Sequence, residues 1–154
     1  MAELTGLAPH LVVSDGNAAI EFYKKAFGAT ETVRHIAPDG KRIMHAGLEV
    51  LGSRLMLNDD FPEYCGGKDS TPQALGGTPV TLHLQVDDAR ATFDQAVAAG
   101  ATINMPLSDM FWGDRYGVLS DPFGHKWSIG QTISKPSPEE IAKGAEEAFK
   151  VPVS

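Results

Sequence analysis

A single cysteine, Cys65, leaves the chain without an internal disulfide, so stability has to come from packing, and the expected compartment is the reducing cytoplasm. Positive charge is scarce as well. Lys and Arg number 13 against 20 Asp and Glu, for a formal net charge of -7, whereas grip on a phosphate backbone needs clustered cations that release counterions. Nucleic acid is therefore not an expected partner. No apolar run reaches the roughly 20 residues that span a bilayer. The opening Met1-Ala2-Glu3-Leu4-Thr5-Gly6 lacks a basic segment followed by a hydrophobic one, so no membrane partner is expected. Gly66-Gly67-Lys68-Asp69-Ser70 has the wrong spacing for a phosphate-binding loop. A nucleophilic triad is missing too: Ser14 and Ser128 have no base in reach by sequence order, and Cys65 has no neighbouring histidine.

What is present is a repeat. Val12-Val13-Ser14-Asp15, followed by a helical stretch ending Phe27-Gly28-Ala29-Thr30, returns as Gln85-Val86-Asp87-Asp88 and a stretch ending Ala99-Gly100-Ala101-Thr102. An offset of about 72 residues also lays Ser53-Arg54-Leu55-Met56-Leu57 on His125-Lys126-Trp127-Ser128-Ile129. Each half reads as a strand, a helix and three strands. The first half predicts a strand over 7–13, a helix over 18–27 capped by Asp15 and ended by Gly28, and strands over 31–36, 43–50 and 53–58. The second predicts strands over 81–86, 102–107, 114–120 and 126–131 around a helix over 88–99. Ser137-Pro138-Glu139-Glu140 carries a helix-starting cap, and Ile141, Ala145 and Phe149 form one apolar stripe behind it. At 154 residues and 42% hydrophobic content the chain suits one domain. Modules of about 70 residues are marginal alone, so they should bury surface against each other or against a second copy.

Pro9-His10-Leu11-Val12-Val13-Ser14-Asp15, Ala19-Ile20-Glu21-Phe22-Tyr23, Gly76-Gly77-Thr78-Pro79-Val80, His83-Leu84-Gln85-Val86-Asp87-Asp88 and Asp121-Pro122-Phe123-Gly124-His125-Lys126-Trp127 together resemble the vicinal oxygen chelate superfamily. That group includes glyoxalase I, extradiol dioxygenases, fosfomycin-resistance enzymes and bleomycin-resistance proteins. The likeness covers roughly residues 5–133 and is greatest to the PhnB-like branch. It implies an α+β fold of two tandem βαβββ modules whose curved mixed sheets enclose a cavity, commonly completed in a homodimer. The modules would occupy about 5–58 and 80–133, joined by a loop over 59–79 and followed by a helix over 137–150, in one domain over 1–154.

In metal-dependent members of that superfamily, ligands sit near the start of each module's first strand and within its last strand. Those positions fall here on Ala8, Thr81, Met56 and Ser128. None is a usual ligand, so no metal cofactor is expected, although a divalent ion held by His10 and His83 stands as an alternative. His10 and His83 lie two residues further along, on the same strand faces as Ala8 and Thr81. They are the candidate proton shuttles, because imidazole titrates near neutrality. Tyr116 or Arg115 would stabilise developing negative charge. His45, Met56, Phe61, Trp112, Asp114, Arg115 and Ser128 are the candidate ligand-binding residues, with an Asp114–Arg115 pair as the structural alternative.

Three functions remain open. The first is a small-molecule-binding, metal-independent or degenerate glyoxalase-like lyase or isomerase. The second is drug sequestration of the bleomycin-resistance type, for which the net negative charge, Trp112 and Phe61 suit a cationic ligand. The third is a metal-dependent lyase or dioxygenase with its ligands shifted onto the two histidines.

Overall fold

A computed structural model describes residues 5–150; Met1 to Leu4, read above for a leader, and the final four residues lie outside the described residues. Module one runs β1 (His10–Val13), α1 (Gly16–Phe27), β2 (Thr30–Ile36), β3 (Ile43–Val50) and β4 (Ser53–Asp59). The connecting segment holds a single 3-10 turn over Pro62–Tyr64 and a one-turn helix, α2 (Pro72–Leu75). Module two repeats the plan as β5 (Thr81–Gln85), α3 (Ala89–Ala99), β6 (Thr102–Asp109), β7 (Asp114–Ser120) and β8 (Lys126–Thr132), and α4 (Pro138–Phe149) follows.

The sheets are ordered β1-β4-β3-β2 and β5-β8-β7-β6, one parallel pair and two antiparallel pairs in each. Both are open, with β1, β2, β5 and β6 as edges. The repeat extends to the register: His10 pairs with Met56 as His83 pairs with Ser128. It extends to the helix starts as well. Asp59 accepts hydrogen bonds from the amides of Gly16 and Ile43 at 2.7 and 2.6 Å, while Gln131 accepts from Ala89 at 3.0 Å. In each module the last strand thereby satisfies an amide that the helix leaves unpaired. Only glycine fits at 16, because a Cβ there would lie 2.6 Å from Ile43 Cγ1.

Asp15 caps α1 by accepting from Ala18, and Gly28 ends it in the left-handed region at φ 67°. α1 buries Ala19, Ile20, Phe22, Tyr23, Ala26 and Phe27. These join Phe93 and Ala96 of α3, and Leu119, Trp127 and Ile129 of module two, in one core that crosses the module boundary. Phe27 and Trp127 meet with ring centroids 4.6 Å apart. The turn before β8 locks this junction. Asp121 accepts from the Tyr23 hydroxyl at 2.6 Å and from the Trp127 indole at 2.9 Å, and His125 Nε2 lies 2.8 Å from the Val12 carbonyl. His125, read from sequence as shaping the turn, thus ties module two to β1.

β1 begins at His10 rather than at residue 7: Leu7 is fully exposed, and Pro9 takes part only through its carbonyl, which accepts from Met56. Ser137 and Glu140 complete the capping box of α4. Its stripe does not sink into the core, however. Gly144 abuts Phe111, where an added Cβ would come within 2.6 Å of Phe111 Cβ, and Phe149 remains 86% exposed. Among the described residues no helix is long and apolar enough to cross a membrane.

Candidate functional site

Each sheet turns one face to the helices and leaves the other open. In module one Leu11, Val13, Ala46, Leu48, Leu55 and Leu57 point into the core, so alternation puts His10, His45 and Met56 on the open face. The His10 and His45 rings meet edge to face with centroids 5.8 Å apart, and His35 stacks on His45 at 6.2 Å. His35 was not singled out from sequence, although its register partner across β2–β3 is His45. Burial first, and then the charges of His10, His35 and Arg54, hold His45 below the ordinary imidazole value. Its folded value is depressed relative to the unfolded chain, so its share of stability is present above about pH 6.5 and is lost as pH falls. Replacing His10 by asparagine should move the His45 titration midpoint upward in an imidazole NMR titration; an unmoved midpoint would show that His10 exerts no field there.

Module two carries a continuous chain of hydrogen bonds. Ser128 Oγ lies 2.7 Å from His83 Nδ1, His83 Nε2 lies 2.7 Å from Gln85 Oε1, and Gln85 Nε2 donates to Thr132 Oγ1 at 3.0 Å. With the Gln85 oxygen turned to the ring, His83 Nε2 carries the proton and Nδ1 accepts from the Ser128 hydroxyl. Ser128, read from sequence as having no base in reach, has one because β5 and β8 pair in parallel and set His83 beside it. Gln85 and Thr132 were not foreseen either; the legible signal was that Gln85 follows His83 by one strand period. Tyr116 stacks on His83 at 6.1 Å and 22°, Trp112 meets Tyr116 at 5.6 Å, and Phe111 meets Trp112 at 5.1 Å. His83 is exposed, whereas Ser128 beneath it is only 2% exposed.

Gly130 makes room for this chain, since a Cβ there would lie 2.8 Å from Gln85 Oε1 and 2.9 Å from His83 Cε1. Gly130→Ala should therefore leave the fold standing while turning the His83 ring away from Gln85. The expected readout is a changed His83 nitrogen chemical shift with a melting temperature close to the parent's; an unchanged His83 spectrum would refute it.

Other expected contacts are redistributed. Arg115 does not join Tyr116, because strand alternation sends it to the opposite face, where its Nε donates to Asp109 Oδ1 at 2.8 Å. Asp109, which no sequence pattern singled out, takes the role expected of Asp114, which lies on the Tyr116 side. Phe61 sits under the Arg42 guanidinium at 4.2 Å and lines a cavity of about 560 Å³ with Met44 and Tyr64, beside the β2–β3 turn. It is thus placed with module one and away from Trp112. The rings fall into two groups, one per sheet: His10, His45 and His35, and His83, Tyr116, Trp112 and Phe111. A smaller cavity of about 290 Å³ between the modules is lined by Arg54 of β4 and by Thr81 and His83 of β5.

These donors do not suit a divalent ion. Both His83 nitrogens are engaged, Met56 and Ser128 are weak ligands, and among the described residues no three His, Cys, Asp or Glu side chains converge to hold a metal.

Comparison with known proteins agrees with this architecture. An uncharacterized protein of Mycobacterium tuberculosis strain H37Rv is 56% identical over 135 residues, covering 88% of this chain and 79% of the relative. Among solved structures, TioX from Micromonospora sp. ML1 superposes with TM-score 0.64 at 28% identity, over 84% of this chain and 99% of TioX. A PhnB protein from Bacillus cereus shares the fold, with TM-score 0.63 at 18% identity over 82% of this chain and 99% of its own. The family model of the glyoxalase superfamily matches residues 6–129, from ahead of β1 to within β8, and so spans module one, the connecting segment and most of module two. With its duplicated modules, their shared register and this match in accord, the chain belongs to the glyoxalase/bleomycin resistance protein/dioxygenase superfamily.

Proposed function

We propose that the chain is a cytoplasmic, homodimeric small-molecule-binding protein that acts as a metal-independent, glyoxalase-like enzyme with His83 as its proton carrier. The supporting observation is the chain Ser128–His83–Gln85–Thr132 beneath an exposed imidazole stacked on Tyr116. The Ser128 hydroxyl both donates and accepts, so it serves either tautomer of the ring. When a carbonyl or hydroxyl compound displaces the Gln85 amide, the exposed ring gives up its Nε2 proton to solvent and takes one on Nδ1, which donates to Ser128 Oγ, so that the freed Nε2 accepts the substrate's proton. The Tyr116 hydroxyl then donates toward the negative charge left on the substrate oxygen. His10, backed by His45 and Met56, acts as a polar anchor on the module-one face.

Homodimerisation suits the open sheets. Both polar faces are uncovered and both first strands are free edges, and a second copy would bring the module-one face opposite the module-two face. Sequestration is the second reading, favoured by the contiguous rings of Phe111, Trp112 and Tyr116.

The test is proton exchange. Hydroxyketones and α-hydroxy acids incubated in D₂O with chelator-treated protein should exchange their activated hydrogens, by NMR, and the His83→Asn variant should not catalyse that exchange. Exchange that vanishes with chelator and returns with a divalent ion would overturn the metal-independent reading. Tight binding of an unaltered ligand would replace catalysis by sequestration. Sedimentation should show a dimer; a monomer at micromolar concentration would remove the shared cavity.

A further inference from the structure

Four of the five arginines are ion-paired: Arg34 with Glu31, Arg42 with Asp39 and Glu63, Arg90 with Asp94, and Arg115 with Asp109. Among the described residues, Arg54 pairs with no carboxylate, although Glu49 is its cross-strand neighbour on β3. Arg54 lines the cavity of about 290 Å³ between the modules, whose lining from module two includes Thr81 and His83 and whose accessible apolar walls are Pro9, Leu82 and Leu84. Its five donors form a planar fork matched to a carboxylate. The volume lies just under the about 300 Å³ at which small-molecule sites start, room for a small acid and little more.

Two observations place positive potential here in a chain of net charge -7. Arg54 is among the charges that hold His45 low, so its field reaches that imidazole. Lys126 is the register neighbour of Thr81 across β5–β8 and likewise makes no ion pair among the described residues. A positive end above apolar walls selects against the cationic ligand that the net charge alone would favour.

The geometry points to a carboxylate subsite: Arg54, with the Thr81 hydroxyl and the His83 edge, receives the acid group of a small organic acid whose apolar body lies against the partly exposed Pro9, Leu82 and Leu84. The inference rests on the reading of His83 as part of the ligand site and names the class of ligand that site takes. A carboxylate held at Arg54 presents its neighbouring carbon or hydroxyl to His83, as proton transfer from an α-substituted acid requires.

The experiment is calorimetric titration of the full chain at low salt with 3-phenylpropionate, its neutral amide and the corresponding amine. The acid should bind at least about tenfold more tightly than the amide, by the worth of a charge-assisted hydrogen-bonded pair, and the amine should not compete with it. Arg54→Gln should erase that preference by weakening the acid alone, and Arg54→Lys should restore part of it. Equal affinity for acid and amide, an Arg54→Gln variant that still prefers the acid, preference for the amine, or no binding of the acid would each overturn the inference. If acid and amide bind equally and His83→Asn weakens both, the ligand site stands and only its acid specificity falls. If neither binds, the site reading falls with it.

Discussion

Asp121→Ala should cost about 4 kcal/mol of folding stability, an estimate built from its four hydrogen bonds at a reduced rate because they act as one unit. The carboxylate is 5% exposed. Oδ1 accepts from the Phe123 and His125 amides at 2.9 and 3.0 Å, and Oδ2 accepts from the Tyr23 hydroxyl and the Trp127 indole at 2.6 and 2.9 Å. Alanine strands all of these donors, two of them on rings inside the core that joins the modules. Each stranded buried donor costs about 1–3 kcal/mol. Because a domain holds only about 5–15 kcal/mol in total, the variant should unfold at a much lower urea concentration. Tyr23→Phe is the calibrating change and should cost only about 1 kcal/mol.

The same pair predicts a pH effect. Burial, followed by the charge and hydrogen bond of Asp121, raises the Tyr23 phenol well above its ordinary value. The unfolded chain therefore releases this proton first, and stability falls as pH rises past about 10. Tyr23→Phe should lack that part of the loss. An unfolding free energy for Asp121→Ala, from urea titration, within about 1 kcal/mol of the parent's would show that the node does not join the modules.

His83→Ala should lower turnover about 10²- to 10⁴-fold, the range ascribed to a positioned acid–base group. The ring is exposed and contributes nothing to the buried core, so melting temperature should change little and the loss should appear in kcat. Ser128→Ala should cost less, because the ring keeps its Gln85 partner and loses only the tautomer control at Nδ1. Turnover by His83→Ala at the parental rate would remove the proposed mechanism. Equal losses in Ser128→Ala and His83→Ala would move the chemistry from the imidazole to the pair.

Local chemistry was legible without coordinates. The strand-like runs Ile43 to Val50 and Asp114 to Ser120 matched β3 and β7 to the residue, and Asp15, Gly28 and Ser137 marked helix ends because capping involves only neighbours in the chain. Helical spacing at Ala19, Ile20, Tyr23 and Phe27 selected the buried face of α1. The repeat and the Asp121 turn identified the superfamily.

Pairing across long stretches of chain was not legible. His83 and Ser128 are 45 residues apart and meet only because two strands pair in parallel in one register; a slip of one residue would place them on opposite faces. Arg115 took Asp109 rather than Asp114 because pleating separates adjacent side chains, and Arg54 pairs with no carboxylate among the described residues although Glu49 is its neighbour in the sheet. Sequence alone determined the main strands and helices of the two modules, the caps of α1 and α4 and the duplicated plan, since these depend on spacing within a turn or a strand. Tertiary structure decided which polar groups meet, because register and face, not order along the chain, set the distances over which hydrogen bonds and charges act.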